Sequence, residues 1–245
     1  MKLAIGVLAR APVAGRCKRR LLAAHEGGWV AGLCAAMLRD TVDGLLSVEA
    51  SDYVVVASPL PADESGAMDF TTRAQAAVDV LARHVPAPWS VMPPTPRTPE
   101  RPGDDRGVAL HDTLLELLFD REAAVLVSAD APTAPVDPLG PALESLVAAR
   151  TKHAAALLGP TDQGGAFLFA TNRAVDMRLL HDLPWETPAL AETIRLRCRD
   201  LGIALDELPP WYTVDEPSDV LRLLDELRKH PERAPRTAQF VVTSG

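Results

Sequence analysis

The stretch AAVLVSADAPTAP, residues 123–135, decides the fold of this 245-residue chain. Residues 124–127 form an apolar run without a polar interruption, which is typical of a strand buried on both faces of a parallel sheet. The run gives way to a turn at Asp130 and Pro132. Asp130 is therefore predicted to lie at the carboxyl edge of the sheet, where open α/β sheets bind their ligands. It is a candidate metal ligand, and the alternative is a turn residue bonded to its own backbone.

The composition excludes several classes of function. The formal net charge is -8 and the sequence pI is about 5.3, so there is no overall basic field for nucleic acid. An apolar run long enough for a membrane span or a signal segment is absent from the sequence. The three cysteines, Cys17, Cys34 and Cys198, are widely spaced and odd in number, which is typical of reduced thiols. We expect a soluble, cytoplasmic protein without a nucleic-acid or membrane partner.

A basic loop follows the first predicted strand, residues 3–9. It holds five basic residues within positions 10–20, together with Pro12 and Gly15, which keep the loop out of a helix. In an acidic protein this concentration indicates an anion site, in which backbone N–H groups near Gly15 cradle phosphate oxygens while Arg10, Arg16 and Lys18 neutralise them. The alternative is a solvated basic loop. Neither the Walker loop nor the dinucleotide fingerprint is present in the sequence.

Strand and helix patterns alternate along the chain and predict a three-layer α/β/α sandwich with a mostly parallel sheet. Further strands are predicted at 52–58, 89–92, 153–158 and 203–208, and helices at 29–48, 69–84, 108–119, 138–150 and 218–230, with one more beginning at Thr187 and Pro188. Seven prolines within 86–102 indicate a surface connection rather than a linker. Residues 1–230 are predicted to form a single domain, and 231–245 a poorly ordered tail.

Other candidate residues lie in later loops. Gln163, Gly164 and Gly165 form a loop that allows close backbone approach to a sugar or acceptor, although a plain hairpin turn has the same composition. Trp185 is a candidate for stacking on a ligand ring, with a core or lid tryptophan as the alternative. Asp215 is a candidate second metal ligand, with capping of the last helix by Asp215 or Glu216 as the alternative. Asp40 is predicted to be a solvated helix carboxylate, with the ligand edge as the alternative.

These motifs resemble a bacterial glycosyltransferase-like family associated with arsenosugar biosynthesis. Residues 10–21 are similar to its "KAPVPGRVKTRL" opening, 128–132 to "GSDCP", 158–165 to "LGPAxDGG", 183–188 to "IPWSTP" and 214–217 to part of "DIDTPEDL". The matches follow the same order and cover nearly the whole chain. The chain departs from the pattern at Gln163 and Thr213, where the family has acidic residues, and at Ala166, where it has an aromatic residue.

The resemblance implies the nucleotide-diphospho-sugar transferase superfamily and its GT-A fold. The activity it implies is glycosyl transfer from a nucleotide-sugar donor to a small-molecule acceptor, with Mg or Mn held by Asp130 and Asp215 and the phosphates held by Arg10, Arg16 and Lys18. Asp162 is a candidate for orienting the acceptor, and no base is assigned. Two alternatives stay open: a nucleotidyltransferase of the same fold, and a nucleotide-binding protein with impaired catalysis. The sequence does not indicate an oligomeric state.

Overall fold

A computed structural model of the chain describes residues 2–62, 68–94 and 106–243. The strands, numbered along the chain, are β1 (Leu3–Arg10), β2 (Asp52–Ser58), β3 (Ser90–Met92), β4 (Ala123–Ser128), β5 (Ala155–Pro160), β6 (Ala166–Thr171) and β7 (Ala204–Glu207). They form one sheet in the order β3-β2-β1-β4-β6-β5-β7. All neighbouring pairs are parallel except the two that involve β6. The predicted α/β fold with a mostly parallel sheet is confirmed.

Helices cover both faces of the sheet. They are α1 (Gly27–Leu45), α2 (Phe70–Leu81), α3 (Arg106–Leu117), α4 (Leu139–Ala149), α5 (Leu190–Asp200), α6 (Pro217–Lys229) and α7 (Pro235–Thr243). Buried side chains of α1, α2 and α4 share one core with the sheet, and those of α3 and α5 share the core on its other face. A third apolar cluster joins the other side of α1 to α6 and α7. None of the described helices has the length and apolar character needed to cross a bilayer.

The central pair of strands explains why the ligand edge was predictable. β1 and β4 run parallel with Leu3 opposite Ala123 and Leu8 opposite Ser128. Both strands are buried over most of their length, and their alternate residues enter opposite cores. Neighbouring parallel strands end at the same edge of a sheet. The loops that follow β1 and β4 are therefore neighbours in space.

Strand β6 was missed by the sequence analysis, which treated residues 159–169 as a loop. Residues 161–165 form only the turn of a hairpin, in which the Thr161 N–H donates to the Gly165 carbonyl at 2.9 Å. The chain then returns as β6 and inserts antiparallel between β4 and β5. Its sequence AFLFAT is apolar and rich in aromatics, as a strand buried on both faces requires. The hairpin alternative is thus the observed structure of this segment.

Helix α5 begins later than predicted. Its N-cap residue is Ala189, rather than Thr187. The Thr187 hydroxyl instead donates to the Pro184 carbonyl at 2.8 Å and accepts from the Ala189 N–H at 3.3 Å. Thr187 therefore closes the turn before the helix. The other predicted elements are observed with ends that differ by a few residues, and the part of the proline-rich connection beyond Pro94 lies outside the described residues.

The prediction of a frayed tail from residue 231 is wrong for residues 235–243, which form α7 and pack against α1. Asp40 on α1 fixes the start of α7. Its carboxylate accepts from the backbone N–H groups of Arg236 and Thr237 at 3.0 and 2.7 Å, and from the Thr237 hydroxyl at 2.6 Å. Asp40 is buried. It is neither a solvated carboxylate nor a residue of the ligand edge, so both interpretations of Asp40 are wrong.

Candidate functional site

Three distant segments meet at the carboxyl edge of the sheet. The Ala129 N–H donates to the Leu8 carbonyl at 3.1 Å, which joins the loop after β4 to the end of β1. The Val214 N–H donates to the Asp130 carbonyl at 2.8 Å, which adds the segment before α6. These backbone hydrogen bonds bring the basic loop, Asp130 and Asp215 into one region.

Lys18 lies between the two predicted metal ligands. Its Nζ is 2.8 Å from Asp130 Oδ1 and 3.0 Å from Asp215 Oδ1. The Lys18 side chain is only 4% exposed, while those of Asp130 and Asp215 are 34% and 45% exposed. Burial opposes the charge of the ammonium, but the two carboxylates outweigh this effect and raise the pKa of Lys18. Lys18 and Asp130 thus lie on the same rim of the sheet, as the sequence analysis expected.

Asp215 is available to Lys18 because neighbouring residues cap α6. Glu216 is the N-cap residue, and the Asp219 carboxylate accepts from the N–H groups of Asp215 and Glu216 at 3.0 and 2.8 Å. Burial opposes the charge of Asp215, but Lys18 and a hydrogen bond from Thr213 outweigh it and lower the pKa of Asp215. The capping alternative for Asp215 is therefore wrong. The resembled family has a carboxylate at the position of Thr213. In this chain the Thr213 side chain instead forms a hydrogen bond with the Asp215 carboxylate.

Asp130 occupies a turn that another side chain closes. The Ser128 Oγ accepts from the Asp130 N–H at 3.2 Å. The Asp130 carboxylate is directed at Lys18. The Asp130 carboxylate therefore pairs with a cation, and the turn is closed by the Ser128 hydroxyl instead.

The basic loop has a compact backbone that directs its cations to different places. The Arg16 N–H donates to the Val13 carbonyl at 2.9 Å, Gly15 has a φ of 72°, and Lys18 has a φ of 39°. Pro12 and Gly15 shape this turn, whereas Arg10 and Arg16 line a cavity at the edge of the sheet. Lys18 points inward, so the loop is not simply a solvated basic segment.

The cavity has a volume of about 450 Å³ and reaches from the ends of β1, β2 and β4 to α3 and α5. Its polar side chains come from seven residues: Arg10, Arg16, Ser58, Arg106, Thr113, Ser128 and Asp130. Its apolar lining includes Leu126, Phe169, Leu180, Ile194 and Trp185. A volume of this size suits a small molecule, and convergent cations at one end favour an anionic ligand.

Asp130 and Asp215 could bind a divalent cation if the Lys18 ammonium left its position between them. Both carboxylates lie within 3.0 Å of the same ammonium, so Lys18 Nζ marks a position that they share for a positive charge. No group of three or more His, Cys, Asp or Glu residues suited to a metal is found among residues 2–62, 68–94 and 106–243. Mg²⁺ commonly binds through one or two carboxylates, with waters and substrate phosphates completing its shell. The two residues are sufficient if the Lys18 ammonium withdraws from between them.

The predicted acceptor loop has other structural partners. Asp162 forms an ion pair with Arg222, so its carboxylate is neutralised within the chain. Gly164 has a φ of 82° and lies so close to Pro188 that a Cβ atom would overlap the Pro188 carbonyl. The close approach that this glycine allows is therefore to the chain itself. Gln163 is exposed, and Gly165 donates its N–H to the Thr161 hydroxyl at 2.7 Å.

Trp185 lines the cavity from the segment before α5. Its indole Nε1 is buried and has no hydrogen-bond partner within the described residues. An unpaired buried donor is costly, and a ligand oxygen would relieve that cost. Trp185 thus lines the cavity with an unpaired buried donor, and its contact with a ligand stays a prediction.

Three residues of the site, Arg20, Arg106 and Glu186, were not singled out from the sequence. Glu186 pairs with Arg20 at 2.7 Å and with Arg106 at 2.6 Å, and Arg106 lines the cavity. Arg20 belongs to the basic run, which was a usable signal. Arg106 and Glu186 are single charged residues in unrelated segments, and only the fold brings them together.

The chain matches no family model and no curated protein sequence. It is similar in structure to a provisionally named nucleotide-diphospho-sugar transferase from Desulfovibrio desulfuricans G20, with 20% identity, a TM-score of 0.75, and coverage of 99% of this chain and 95% of the other. The chain has a nucleotide-diphospho-sugar transferase-like fold. The resemblance to the arsenosugar-associated family stays a prediction.

Two cytidylyl-type enzymes share this fold at greater distance. A CMP:2-keto-3-deoxy-manno-octonic acid synthetase solved with CTP has 13% identity and a TM-score of 0.52, covering 94% of this chain and 100% of the other. A cytidylyltransferase from Leptospira borgpetersenii has 11% identity and a TM-score of 0.53, covering 96% and 97%. At these identities the likeness concerns the fold, and activity must be argued from the site.

Proposed function

We propose that this protein is a glycosyltransferase-like enzyme that binds a nucleotide-diphospho-sugar in the cavity and transfers the sugar to a small-molecule acceptor. The observation that carries the proposal is the convergence of Lys18, Asp130 and Asp215 beside a cavity lined by Arg10 and Arg16. The fold shared with nucleotide-using proteins supports it.

The positive side chains suit the chemistry of a diphosphate leaving group. Negative charge develops on the diphosphate as the bond to the sugar breaks, and fixed cations nearby stabilise that charge. Arg10 and Arg16 line the cavity and would bind the phosphate oxygens in this proposal. Lys18 is held charged by its two carboxylates and becomes available to the phosphates if a metal replaces it between them.

Asp130 and Asp215 would hold Mg²⁺ or Mn²⁺ in this proposal. When bound, such an ion supplies Lewis-acid neutralisation of phosphate oxygens. Trp185 would contribute an apolar wall and an indole N–H that lacks a partner within the described chain. Asp162, paired with Arg222, is a poor candidate for the base.

Nucleotidyl transfer is the second candidate, and a specific observation favours it. The described cavity lining contains a single carboxylate, Asp130, and that carboxylate is paired with Lys18. A nucleophile that is already an anion, such as a phosphate or carboxylate, does not need a base. The cytidylyl-type proteins that share the fold support this alternative.

The test combines binding with product analysis. Thermal shifts of the full chain are measured with UDP-glucose, GDP-mannose and CTP, each with and without Mn²⁺, for the wild type and for Asp130→Asn. Asp137→Asn, an exposed aspartate beyond the turn, is the matched control. We expect a metal-dependent shift that D130N removes and D137N keeps. A metal-dependent shift unchanged in D130N would show that Asp130 does not serve the metal.

Product release separates the candidates. Nucleoside diphosphate released from a sugar nucleotide in the presence of an acceptor supports glycosyl transfer. Pyrophosphate released from a nucleoside triphosphate identifies nucleotidyl transfer. Tight binding that is indifferent to metal, without either product, identifies a nucleotide-binding protein without turnover.

A further inference from the structure

The segment 183–189, here called the strap, connects the short 3₁₀ helix Met177–Leu179 to α5 and lies along the cavity through Trp185. Its next residue, Glu186, has a φ of 62°, a conformation that non-glycine residues rarely adopt. Glu186 Oε2 is 2.7 Å from Arg20 Nη2, and Glu186 Oε1 is 2.6 Å from Arg106 Nη2. Arg20 Nη1 also lies 3.8 Å from Glu216 Oε1. The Glu186 carboxylate therefore joins the strap to two arginines beside the cavity, one of which, Arg106, lines it.

The two arginines come from separate parts of the fold. Arg20 lies in the 3₁₀ helix Arg19–Ala23 after the basic loop, and Arg106 begins α3 and lines the cavity. Each contacts a different oxygen of the same carboxylate. Two guanidinium groups sharing one oxyanion is also the arrangement by which proteins bind a phosphate or carboxylate of a ligand.

The bridge is open to exchange. The side chains of Arg20, Arg106 and Glu186 are 53%, 50% and 45% exposed. Ion pairs between side chains this exposed contribute little to stability, so an incoming anion has little to displace. Arg106, Arg20 and Arg10 together lower the pKa of Glu186, which keeps its carboxylate charged near neutral pH. These three arginines carry more positive charge than Glu186 and the more distant Glu216 carboxylate neutralise.

We propose that Arg20 and Arg106 form a binding subsite for an oxyanion of a substrate, a phosphate monoester or a carboxylate, and that Glu186 occupies this subsite in the ligand-free protein. The subsite is distinct from Arg10 and Arg16, to which the proposed function assigns the nucleotide phosphates. We assign this oxyanion to the second substrate, the acceptor, and that assignment rests on the proposed function. The subsite itself does not depend on it. Glu186 therefore competes with substrate for the two arginines, and its side chain leaves them when the substrate oxyanion binds.

Calorimetric titration of the full chain with inorganic phosphate, and separately with acetate, tests the subsite without any nucleotide. We expect Glu186→Gln to bind phosphate about three- to tenfold more tightly than the wild type, because the internal competitor is gone and its exposed ion pairs are weak. Glu186→Gly, which suits the positive φ, should show the same gain. Adding Arg20→Ala or Arg106→Ala to E186Q should abolish it. Glu192→Gln, an exposed glutamate on α5 paired with Arg195, is the matched control and should keep wild-type affinity.

The outcomes separate the subsite from the nucleotide site. Affinities of E186Q and E186G within twofold of the wild type would overturn the proposal, as would a gain that survives Arg20→Ala. A gain for phosphate alone identifies a phosphate monoester, and a gain for acetate as well identifies a carboxylate-tolerant subsite. D130N combined with E186Q should retain the gain, so failure of the proposed nucleotide chemistry would leave this result intact.

Discussion

Replacing Lys18 with methionine tests whether Asp130 and Asp215 share a cation position. Methionine fills similar space without the charge, so the two carboxylates would face each other unneutralised. Breaking a buried ion pair costs about 3–5 kcal/mol, whereas an exposed pair is worth about 0–1 kcal/mol. The ammonium is buried, but Asp130 and Asp215 are 34% and 45% exposed and can regain water. We therefore expect Lys18→Met to lower the free energy of unfolding by about 2 kcal/mol.

A divalent ion should reverse this loss. With the ammonium gone, Mn²⁺ can bind between the carboxylates without displacing anything. A Kd of about 0.1 mM would give about 1.4 kcal/mol of stabilisation at 1 mM Mn²⁺. Urea unfolding with and without 1 mM MnCl₂ measures both effects. Wild-type protein should gain less from the same ion, because Lys18 competes with it.

Lys152→Met removes an exposed lysine and provides the control, with an expected change within about 0.5 kcal/mol. A loss in Lys18→Met as small as that of the control would show that the buried ammonium adds no net stability. A Lys18→Met protein whose unfolding ignores Mn²⁺ would refute the shared cation position.

Three further predictions concern the structure around the site. Gly164→Ala should cost about 2–4 kcal/mol in urea unfolding, because a methyl group meets a neighbouring carbonyl at positive φ, whereas Gly140→Ala, with open space around it, should be neutral or stabilising. Asp40→Ala should cost about 2–3 kcal/mol and speed amide exchange in residues 236–240, since buried donors lose their acceptor. Asp215→Asn should be less stable than wild type at pH 7. Since the folded pKa of Asp215 is lowered, its contribution exists above the unfolded value near 4 and disappears as pH falls below it, so equal differences at pH 7 and pH 3 would contradict this.

The parts of the fold that the sequence predicted well are those with local signals. β1 and β4 are buried on both faces, so their residues are apolar without a break, and a basic or acidic residue directly after each must lie at the edge. The meeting of Lys18 with Asp130 follows from the pairing of these two strands. The prediction needed only the rule that parallel strands end together.

The missed parts depend on contacts distant in sequence. The turn composition of residues 159–165 obscured β6, which begins only one residue later. α7 is fixed by Asp40, 197 positions before Thr237, and short helices owe their stability to such packing. Glu186 bridges residues 20 and 106, and neither its own segment nor theirs carries a pattern that points to the others.

The docking of α7 on α1 changes what shortening the chain would do. Gly32 on α1 leaves room for the ring of Phe240, and a side chain at Gly32 would overlap that ring. Ala238 is buried in the same apolar cluster as Leu33 and Met37. Deleting residues 235–243 would therefore expose the apolar surface of α1 that packs against α7. We expect such a deletion to destabilise the protein as a core mutation does and to cause aggregation. A fusion partner should therefore be attached after α7, and a truncated variant should retain α7.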